Sequence, residues 1–426
     1  MPDKESYKES YKEGYKADYA ESYGPPPPNR AWAEINLDNI RHNYREFARI
    51  TRRPGASPGI ICVIKANAYG HGAATLAKVY AEEGCAFLAA ACLDEALEIR
   101  RAVDTPLLIL NHIAPERIPA ALENGLSLTV YSEELARAVS YNARRMGLTA
   151  KIHIKLDTGM TRAGFDCNER GLKESVSKIQ RISELPNIKI EGVFTHFARA
   201  DEADPAFTRV QFERYMAAAG ELYRGGVDCG FRHVCNSAGA ISFREMHLDL
   251  IRPGISLYGL YPSDEVDKSL IDLRPAMSVK ARITRVHEAD KGVGVSYGHD
   301  FVTARRTRLA TLPYGYADGF PRLLSGKVHV LIRGRRCPVV GRICMDSCVA
   351  DITDLDAAGD NSVSAGDEAV IIGAQGSETI TADELARQIS TISYEIVCMQ
   401  SRRVPRYFFS GGALVSCENY LLEARG

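Results

Sequence analysis

The sequence predicts an α/β protein: a (β/α)8 TIM-type barrel followed by a mostly antiparallel β-domain. Three observations support this fold class. Eight short β-branched runs alternate with helix-length segments between residues 60 and 252. Polar side chains follow the carboxyl ends of these strands, the face that carries chemistry in such barrels. After about residue 270 the helices largely disappear, and strands separated by turn residues take their place.

Residues 1–29, before this pattern, are predicted to form a disordered low-complexity tail. A tetrapeptide repeat places a tyrosine at every fourth position from Tyr7 to Tyr23, and Pro25 to Pro28 follow as a stiff spacer. In a helix the same spacing would make a tyrosine stripe suited to docking, which is the alternative. Disorder is favoured because little besides tyrosine is available to bury.

The barrel is predicted to span residues 30–268, and its strand candidates are 60–66, 87–91, 106–110, 126–130, 151–157, 190–196, 231–235 and 248–252. One helix between them has a start signal at Ser132 and a stop at Gly147. A further strand is predicted at 30–37. It is expected to join one of the two domains and is not one of the eight barrel strands. An open doubly wound sheet is the competing architecture, but it explains eight regular units less well.

The β-domain is predicted to span residues 269–411, with one helix in the segment "TADELARQIS", and residues 412–426 are expected to form a C-terminal tail. Between its strands lie the segments "GVGVSYGHDF" and "RLATLPYGYADG", which combine turn residues with tyrosines. This pattern is typical of an antiparallel sheet rather than of further βα units.

Composition excludes several classes of function. The formal net charge of −1 provides no general attraction to nucleic acid or to an anionic membrane. No apolar run approaches the ~20 residues of a bilayer span, and the N-terminus lacks a signal-peptide pattern. The 11 cysteines include no CxxC pair, which favours reduced thiols over a disulfide framework or a metal site. We therefore expect a cytoplasmic protein without a metal.

Polar residues follow five of the predicted strands: Lys65, Lys155 with Asp157, His196, Asn236 with Ser237, and Arg252 with Gly254. A lysine in a confined, partly apolar pocket has a lowered pKa and can form a Schiff base with a carbonyl. The loops after strands seven and eight commonly hold phosphate in barrels. Pyridoxal phosphate is the obvious candidate ligand, a sugar phosphate is its rival, and a structural ion pair of Lys65 is the alternative to both.

Nine motifs give the chain a close resemblance to alanine racemases from about Arg30 to Ser410: "VIKANAYGHG", "KLDTGMTRAGF", "THFARAD", "NSAGA", "RPGISLYG", "VSYGHDF", "GYADGFPR", "GRICMD" and "TISYEIVCMQSRRVPR". The resemblance implies a barrel plus a C-terminal β-domain, pyridoxal 5'-phosphate as cofactor, and interconversion of L- and D-alanine. It also implies D-alanine supply for peptidoglycan and a homodimer whose active sites are shared between chains.

The resemblance makes Lys65 the cofactor-holding lysine and one catalytic base, and Tyr297 the second base on the opposite face of the substrate. A phenol needs cationic or donor neighbours to act as a base, and His196 and Arg252 supply this network in the family. Arg252 would lie at the pyridine nitrogen and limit electron withdrawal. The alternatives are an interface tyrosine for Tyr297 and an ion pair with Asp249 for Arg252.

The remaining roles are also implied by the resemblance. Cofactor contacts fall to Tyr69, Asn236, Ser237, Gly254, Ile255 and Tyr394. Substrate contacts fall to Arg162 and Met345 at the carboxylate, to Lys155 behind Arg162, and to Tyr316, Arg322 and Asp346 at a narrow entrance. The family lysine at position 155 is often carbamylated; a plain Lys155 paired with Asp157 is the alternative.

Three positions depart from the usual family pattern: Ala163 replaces leucine, Gly239 replaces alanine and Ser393 replaces asparagine. They affect the expected rates and affinities more than the reaction class. A broad-specificity or serine-preferring racemase of the same fold is therefore the closest rival function. A pyridoxal-phosphate carrier without turnover is the distant one, and the presence of Tyr297 in a full β-domain disfavours it.

Overall fold

The computed structural model describes residues 30–55, 57–356 and 363–422, which form two compact units. The barrel unit comprises residues 37–276, and the sheet unit combines residues 30–36 with the described residues from 277 onward. These bounds differ from the expected 30–268 and 269–411, because strand β1 (Ala31–Asn36) pairs with the first strand of the sheet unit and not with the barrel. The predicted tail at 1–29 lies outside the described residues.

The barrel unit confirms the predicted parallel eight-strand architecture. Its strands are β2 (Gly59–Val63), β3 (Phe87–Ala90), β4 (Leu107–Ile109), β5 (Ser127–Val130), β6 (Ala150–Asp157), β8 (Ile188–Phe194), β9 (Phe231–His233) and β10 (Leu250–Ile251), with β7 (Phe165–Asp166) beside β6. Hydrogen-bonded neighbours run β10-β2-β3-β4-β5-β6-β8-β9, all parallel. The Arg252 N–H donates to the Cys235 carbonyl at 2.9 Å, which brings the first and last strands of this order together.

Six of the eight barrel strands end earlier than the sequence predicts, and four of these six precede expected site residues. The strand expected at 60–66 stops at Val63, that at 190–196 stops at Phe194, that at 231–235 stops at His233, and that at 248–252 stops at Ile251. In each of these four cases the polar residues expected at the strand end lie beyond the strand, in the segment that follows it. Apolar periodicity alone therefore overextends the strands.

The helices of the barrel unit are α1 (Leu37–Thr51), α2 (Ala73–Glu82), α3 (Leu93–Arg100), α4 (Ile118–Glu123), α5 (Glu133–Met146), α6 (Leu172–Ser183), α7 (Ala206–Arg224) and α8 (Ser237–Ser242). Helix α5 begins and ends as predicted. The Ser132 hydroxyl accepts the Leu135 N–H at 3.2 Å, and Gly147 takes the left-handed conformation at the other end. No helix in the described ranges is both long and apolar enough to cross a membrane.

The sheet unit confirms the mostly antiparallel β-domain. Its strands are β1, β11 (Met277–Arg282), β12 (Arg285–Ala289), β13 (Gly294–Val295), β14 (Phe301–Val302), β15 (Thr307–Leu312), β16 (His329–Ile332), β17 (Arg335–Val340), β18 (Cys348–Asp351), β19 (Glu368–Gln375), β20 (Glu378–Ile380), β21 (Arg406–Ser410) and β22 (Ala413–Glu418). Only β1 and β21 pair in parallel among these described strands. Strand β22 lies in the segment that was expected to be a tail.

Three helices accompany this sheet: α9 (Thr353–Asp356), α10 (Ala382–Gln388) and α11 (Ser393–Cys398). Helix α10 falls inside the predicted segment and begins after Thr381, whose hydroxyl accepts the Glu384 N–H at 3.0 Å. Helix α11 follows almost directly and carries Tyr394.

Candidate active site

Lys65 begins an unusual turn immediately after strand β2. The next four residues, 66 to 69, all have φ between 51° and 53°, so the backbone makes one turn of left-handed helix. Side chains other than glycine disfavour this conformation by about 1–2 kcal/mol per residue. Such strain persists only where the surroundings hold it, and it concentrates at functional sites. The turn keeps the Lys65 Nζ within 6.0 Å of the ring centre of Tyr69, which is buried.

Two polar side chains hold this left-handed turn in place. The Glu95 carboxylate accepts the N–H of Ala66 and that of Ala91, each at 2.8 Å. The Asn67 side-chain oxygen accepts the N–H of Ala73 at the start of helix α2, also at 2.8 Å. These bonds satisfy backbone donors at or before the start of a helical turn, which have no partner within the turn itself, and they fix the turn to two neighbouring elements.

Several cationic side chains converge at the carboxyl end of the barrel strands. Lys155 on β6 is buried, and this burial, with smaller contributions from Arg162 and Arg252, lowers its pKa to about 8. The pKa of His196 is lowered well below its usual value, first by burial and then by the charges of Arg252, Arg162, Lys155 and Lys65. The predicted barrel residues are therefore close enough to interact, and their combined charge favours an anionic ligand.

Lys155 does not pair with Asp157 in the described structure. Asp157 instead accepts two backbone N–H groups of the following loop, from Gly159 at 2.9 Å and from Thr161 at 3.0 Å. The Lys155 Nζ lies 5.8 Å from the ring centre of Phe194. Asp157 thus shapes the loop that carries Arg162, whose side chain is exposed.

Arg252 is buried at the end of the barrel, directly after strand β10. Its Nη1 donates to the His233 ring at 2.8 Å and to the His233 carbonyl at 2.8 Å. Its Nη2 donates to the carbonyls of Thr195 and Val234 at 2.6 and 3.1 Å, and lies 3.5 Å from the His196 Nδ1. The alternative ion pair with Asp249 is not formed, because that carboxylate binds Arg232 at 2.9 Å.

The predicted phosphate loops also come together. The Gly254 N–H donates to the Ser237 hydroxyl at 2.8 Å, and Ile255 follows at the start of a short 3-10 turn. A Cβ at Gly254 would lie 2.6 Å from the Tyr69 hydroxyl oxygen, so glycine leaves the space that this hydroxyl occupies. Asn236 caps helix α8 by accepting the Gly239 N–H at 2.9 Å. These groups form a cradle of hydroxyls and backbone amides suited to phosphate.

In the sheet unit, Tyr297 lies on a constrained loop and its side chain is 70% exposed. Ser296 has φ of 64° and donates its hydroxyl to the Arg342 carbonyl at 2.6 Å. Arg342 pairs with Asp300, and its guanidinium packs on Gly298, where a Cβ would lie 2.9 Å from Cζ. The loop therefore holds an exposed phenol on a fixed backbone.

The predicted entrance residues belong to the same unit. Tyr316 and Met345 are adjacent, because the Tyr316 N–H donates to the Cys344 carbonyl at 3.0 Å, and both side chains are exposed. Asp346 accepts from Arg403 at 2.7 Å. The exposed Arg322 begins a 3-10 turn, and the half-buried Tyr394 lies on helix α11.

Sequence reasoning missed residues that hold the predicted ones. Glu95 anchors the turn after Lys65, and His233 is the side-chain acceptor nearest to Arg252. The signal for Glu95 was weak, because an acidic residue in the first turn of a helix is common and favourable by itself. His233 carries a clearer signal, since it ends a barrel strand in the same way as the predicted site residues.

The residues present fit pyridoxal phosphate. The Gly254 cradle provides hydroxyl and amide groups for the phosphate, and Lys65 provides the amine. Within the described chain the Arg252 Nε–H has no acceptor, whereas both Nη groups are engaged, which leaves one donor for a ring nitrogen. A barrel with this lysine, this cradle and this surplus of positive charge defines an enzyme built around a phosphate-bearing carbonyl cofactor.

Comparison with known proteins gives the family. A family model described as the N-terminal domain of alanine racemase matches residues 35–262, and one described as the C-terminal domain matches residues 276–408. The alanine racemase of Desulforamulus reducens is 46% identical over 378 residues, covering 88% of this chain and 98% of that protein. That of Methanococcus maripaludis is 44% identical with the same coverage. The chain therefore belongs to the alanine racemase family, which is pyridoxal-phosphate-dependent.

Solved structures agree with this assignment. The alanine racemase of Clostridium difficile 630 superposes with a TM-score of 0.86 at 39% identity, covering 92% of this chain and 99% of that one. The alanine racemase of Bartonella henselae, whose structure contains covalently bound pyridoxal phosphate, has a TM-score of 0.79 at 28% identity. The superposition covers 90% of this chain and 100% of the Bartonella henselae chain.

Proposed function

We propose that this enzyme interconverts L-alanine and D-alanine by a two-base mechanism, with Lys65 and Tyr297 acting on opposite faces of the α-carbon. The observation that carries the proposal is the short link between the lysine and the phosphate cradle. The turn that begins with Lys65 ends with Tyr69, whose hydroxyl occupies the space beside Gly254. The relatives named above are alanine racemases, which supports alanine as the substrate.

Pyridoxal phosphate, when bound, delocalises the electron pair left on the α-carbon after its proton is removed. The amine of Lys65 takes or returns that proton on one face, and the phenolic oxygen of Tyr297 does so on the other. Two bases are needed because a single base on one face tends to return the proton where it came from. Arg162, an exposed cation close to Lys155 and His196, binds the substrate carboxylate.

Arg252 acts as a donor that keeps its own proton. A guanidinium stays protonated at any working pH, so the Arg252 side chain would donate a hydrogen bond to a ring nitrogen of the cofactor without transferring the proton. Because a guanidinium cannot accept, the His196 Nδ1 at 3.5 Å must be the acceptor of that pair. In a neutral imidazole the proton then lies on Nε2, where it is available to a phenolate.

Lys155 is proposed to be carbamylated. A pKa of about 8 leaves a useful fraction of its amine neutral near neutral pH, and a neutral amine can attack carbon dioxide and lose a proton to give a carbamate anion. The anion would pair with Arg162 and hold it in place. Equilibration with 13C-labelled carbon dioxide should give a carbamate carbonyl NMR signal that is absent in Lys155→Ala. Identical spectra would contradict this assignment.

The main test measures racemisation in both directions with alanine, serine, lysine and arginine. Alanine should be turned over fastest, and higher turnover of serine would favour the serine-preferring alternative raised by Ala163. Lys65→Ala should abolish turnover and the visible absorbance of the bound cofactor, and Tyr297→Phe should abolish turnover while keeping the cofactor bound. Tyr223→Phe is a matched control, because Tyr223 is 80% exposed and has no proposed role. Unchanged racemisation by Tyr297→Phe would refute its role.

We further propose a homodimer in which Tyr297 serves the cofactor of the partner subunit. The 70% exposure of Tyr297 in a single chain supports this arrangement. Co-expression of Lys65→Ala and Tyr297→Phe chains should then recover about a quarter of wild-type activity, since half of randomly mixed dimers carry one intact site of two. Absence of any recovery in mixed dimers would indicate that each site is built from one chain. D-alanine for peptidoglycan is the proposed use of the product.

A further inference from the structure

Arg252 is a buried cation whose protein partners are all neutral. Its Nη groups donate to three backbone carbonyls and to two imidazole rings, and no carboxylate in the described ranges pairs with it. A buried charge without an adjacent opposite charge costs free energy unless an opposite charge lies close enough to stabilise it. The site therefore requires a source of negative charge that reaches this guanidinium indirectly.

A line of hydrogen bonds leads from Arg252 to such a source. The Arg252 Nη1 lies 2.8 Å from the His233 Nδ1, and the His233 Nε2 lies 2.8 Å from the His153 Nδ1. The His153 Nε2 lies 3.3 Å from the Glu191 Oε2, which also accepts the Ser127 hydroxyl. Both imidazoles are fully buried, and the Glu191 side chain is 11% exposed.

We propose that Glu191, His153 and His233 form a one-way hydrogen-bond relay that supplies the counter-charge of Arg252 and fixes the proton of both imidazoles on Nε2. These three are positioning residues, since they act on the cofactor through Arg252. The relay is a property of the barrel by itself, whereas its effect on the cofactor rests on the function proposed above.

The direction of the relay follows from donor chemistry. A guanidinium has five N–H donors and no acceptor, so the His233 Nδ1 facing it must be unprotonated. The proton of neutral His233 then lies on Nε2 and is donated to the His153 Nδ1. His153 in turn carries its proton on Nε2 and donates it to the Glu191 carboxylate, the acceptor-only group that ends the line.

No other protonation pattern satisfies the same contacts. If His153 were doubly protonated, its Nδ1–H would require the His233 Nε2 as acceptor. The His233 proton would then move to Nδ1 and oppose an Arg252 N–H across 2.8 Å, so that two donors would face each other. The environment agrees, because burial is the main cause that lowers the pKa values of His153 and His233. Burial raises the pKa of Glu191, but the His153 and Ser127 hydrogen bonds outweigh it and lower this pKa to about 2.

The barrel packing is shaped to admit the relay. A Cβ at Gly192 would lie 2.5 Å from the His153 Nδ1, so glycine at this position makes room for the imidazole. The His233 ring stacks on Phe194 with centres 4.9 Å apart and planes 7° apart. These contacts pack closely against each ring and leave little freedom for the rings to turn over.

The first experiment reads the protons directly in the wild-type holoenzyme. With 15N-labelled histidine, long-range 1H–15N spectra distinguish the two neutral tautomers and the doubly protonated ring, and His153→Gln and His233→Gln assign the signals. We expect both histidines to be neutral with the proton on Nε2 at neutral pH. A proton on Nδ1 of His233, or a doubly protonated ring at either position, would overturn the relay. This measurement needs no variant to remain active.

The second experiment tests the counter-charge. Glu191→Gln keeps an oxygen acceptor for His153 but removes the charge, and Asp249→Asn is the matched control, because that carboxylate binds Arg232 outside the relay. We expect Glu191→Gln to shift the absorption maximum of the bound cofactor and to lower kcat roughly tenfold, with Asp249→Asn close to wild type in both. Equal behaviour of the two variants would refute the counter-charge. If the wild type bound no cofactor, the proposed function would fail while the tautomer result stood.

Discussion

Replacement of Gly254 by alanine should damage cofactor binding through one defined contact. The new Cβ would lie 2.6 Å from the Tyr69 hydroxyl oxygen and 3.2 Å from the Tyr69 Cζ. Since ordinary van der Waals contact begins at 3.4 Å, the two groups must separate by about 0.8 Å. Tyr69 cannot give way easily, because its ring is buried and packs against Tyr258 with centres 5.1 Å apart.

The displacement has two measurable consequences. Overpacking of this kind costs about 1–3 kcal/mol in the free energy of unfolding. Loss of one hydrogen bond to a charged phosphate costs about 1.5–3 kcal/mol, which weakens pyridoxal phosphate binding roughly 10- to 150-fold. Titration of the cofactor-free protein, followed by absorbance, gives the dissociation constant, and chemical denaturation gives the stability.

Two further variants make the result specific. Gly220→Ala adds a Cβ with no atom within 4 Å and should leave binding unchanged. Tyr69→Phe removes the oxygen that the new Cβ would strike, so Gly254→Ala should destabilise the Tyr69→Phe background by less than it destabilises the wild type. Cofactor affinity of Gly254→Ala within threefold of wild type, together with unchanged stability, would refute the proposed cradle.

Three other substitutions test the barrel. In CO2-free buffer the wild type should gain stability relative to Lys155→Met as the pH rises from about 8 to about 10.5, by about 3 kcal/mol. Between these pH values Lys155 is protonated in the unfolded chain but not in the folded protein. The free energy of unfolding of both proteins would be measured by denaturation at several pH values, and a difference between them that does not change with pH would contradict the lowered pKa of Lys155. Gly164→Ala should destabilise by more than about 2 kcal/mol in urea unfolding, since at φ 139° its Cβ would lie 2.5 Å from the Asp157 backbone nitrogen; a stable, active variant would refute this. Ser132→Ala should cost about 1 kcal/mol by thermal unfolding, with racemisation unaffected, because only the cap bond to Leu135 is lost; no change in stability would show that this cap contributes nothing.

The fold was predictable because its signals are local. Most barrel strands are short buried runs of apolar, often β-branched residues, and helix α5 carries its own start and stop at Ser132 and Gly147. Where tertiary contacts decide the backbone, prediction was wrong. The strand expected at 60–66 ends at Val63, because Glu95 and Asn67 hold the next residues in a left-handed turn that alanine and tyrosine do not favour.

The sequence could name candidate residues for the site, but it could not give the contacts between them. Lys65, His196 and Arg252 were found because polar side chains are conspicuous after apolar strands. The contact between His153 and His233 joins residues 80 positions apart, and no local pattern encodes it. One signal was present. Side chains alternate between the two faces of a strand, so His153 points to the same face of β6 as Lys155, two residues earlier along the strand.

The left-handed turn after Lys65 inverts the usual rules of protein engineering for that segment. Glycine or asparagine, which weaken ordinary helices, adopt positive φ with little penalty, so Ala66→Gly and Ala68→Asn are natural stabilising candidates. Redesign that instead favours strong right-handed helix formers would pull this segment away from its native winding. The amine proposed to hold the cofactor and the hydroxyl proposed to lie beside its phosphate are at opposite ends of these five residues, so such a redesign would change the distance between the two proposed anchor points.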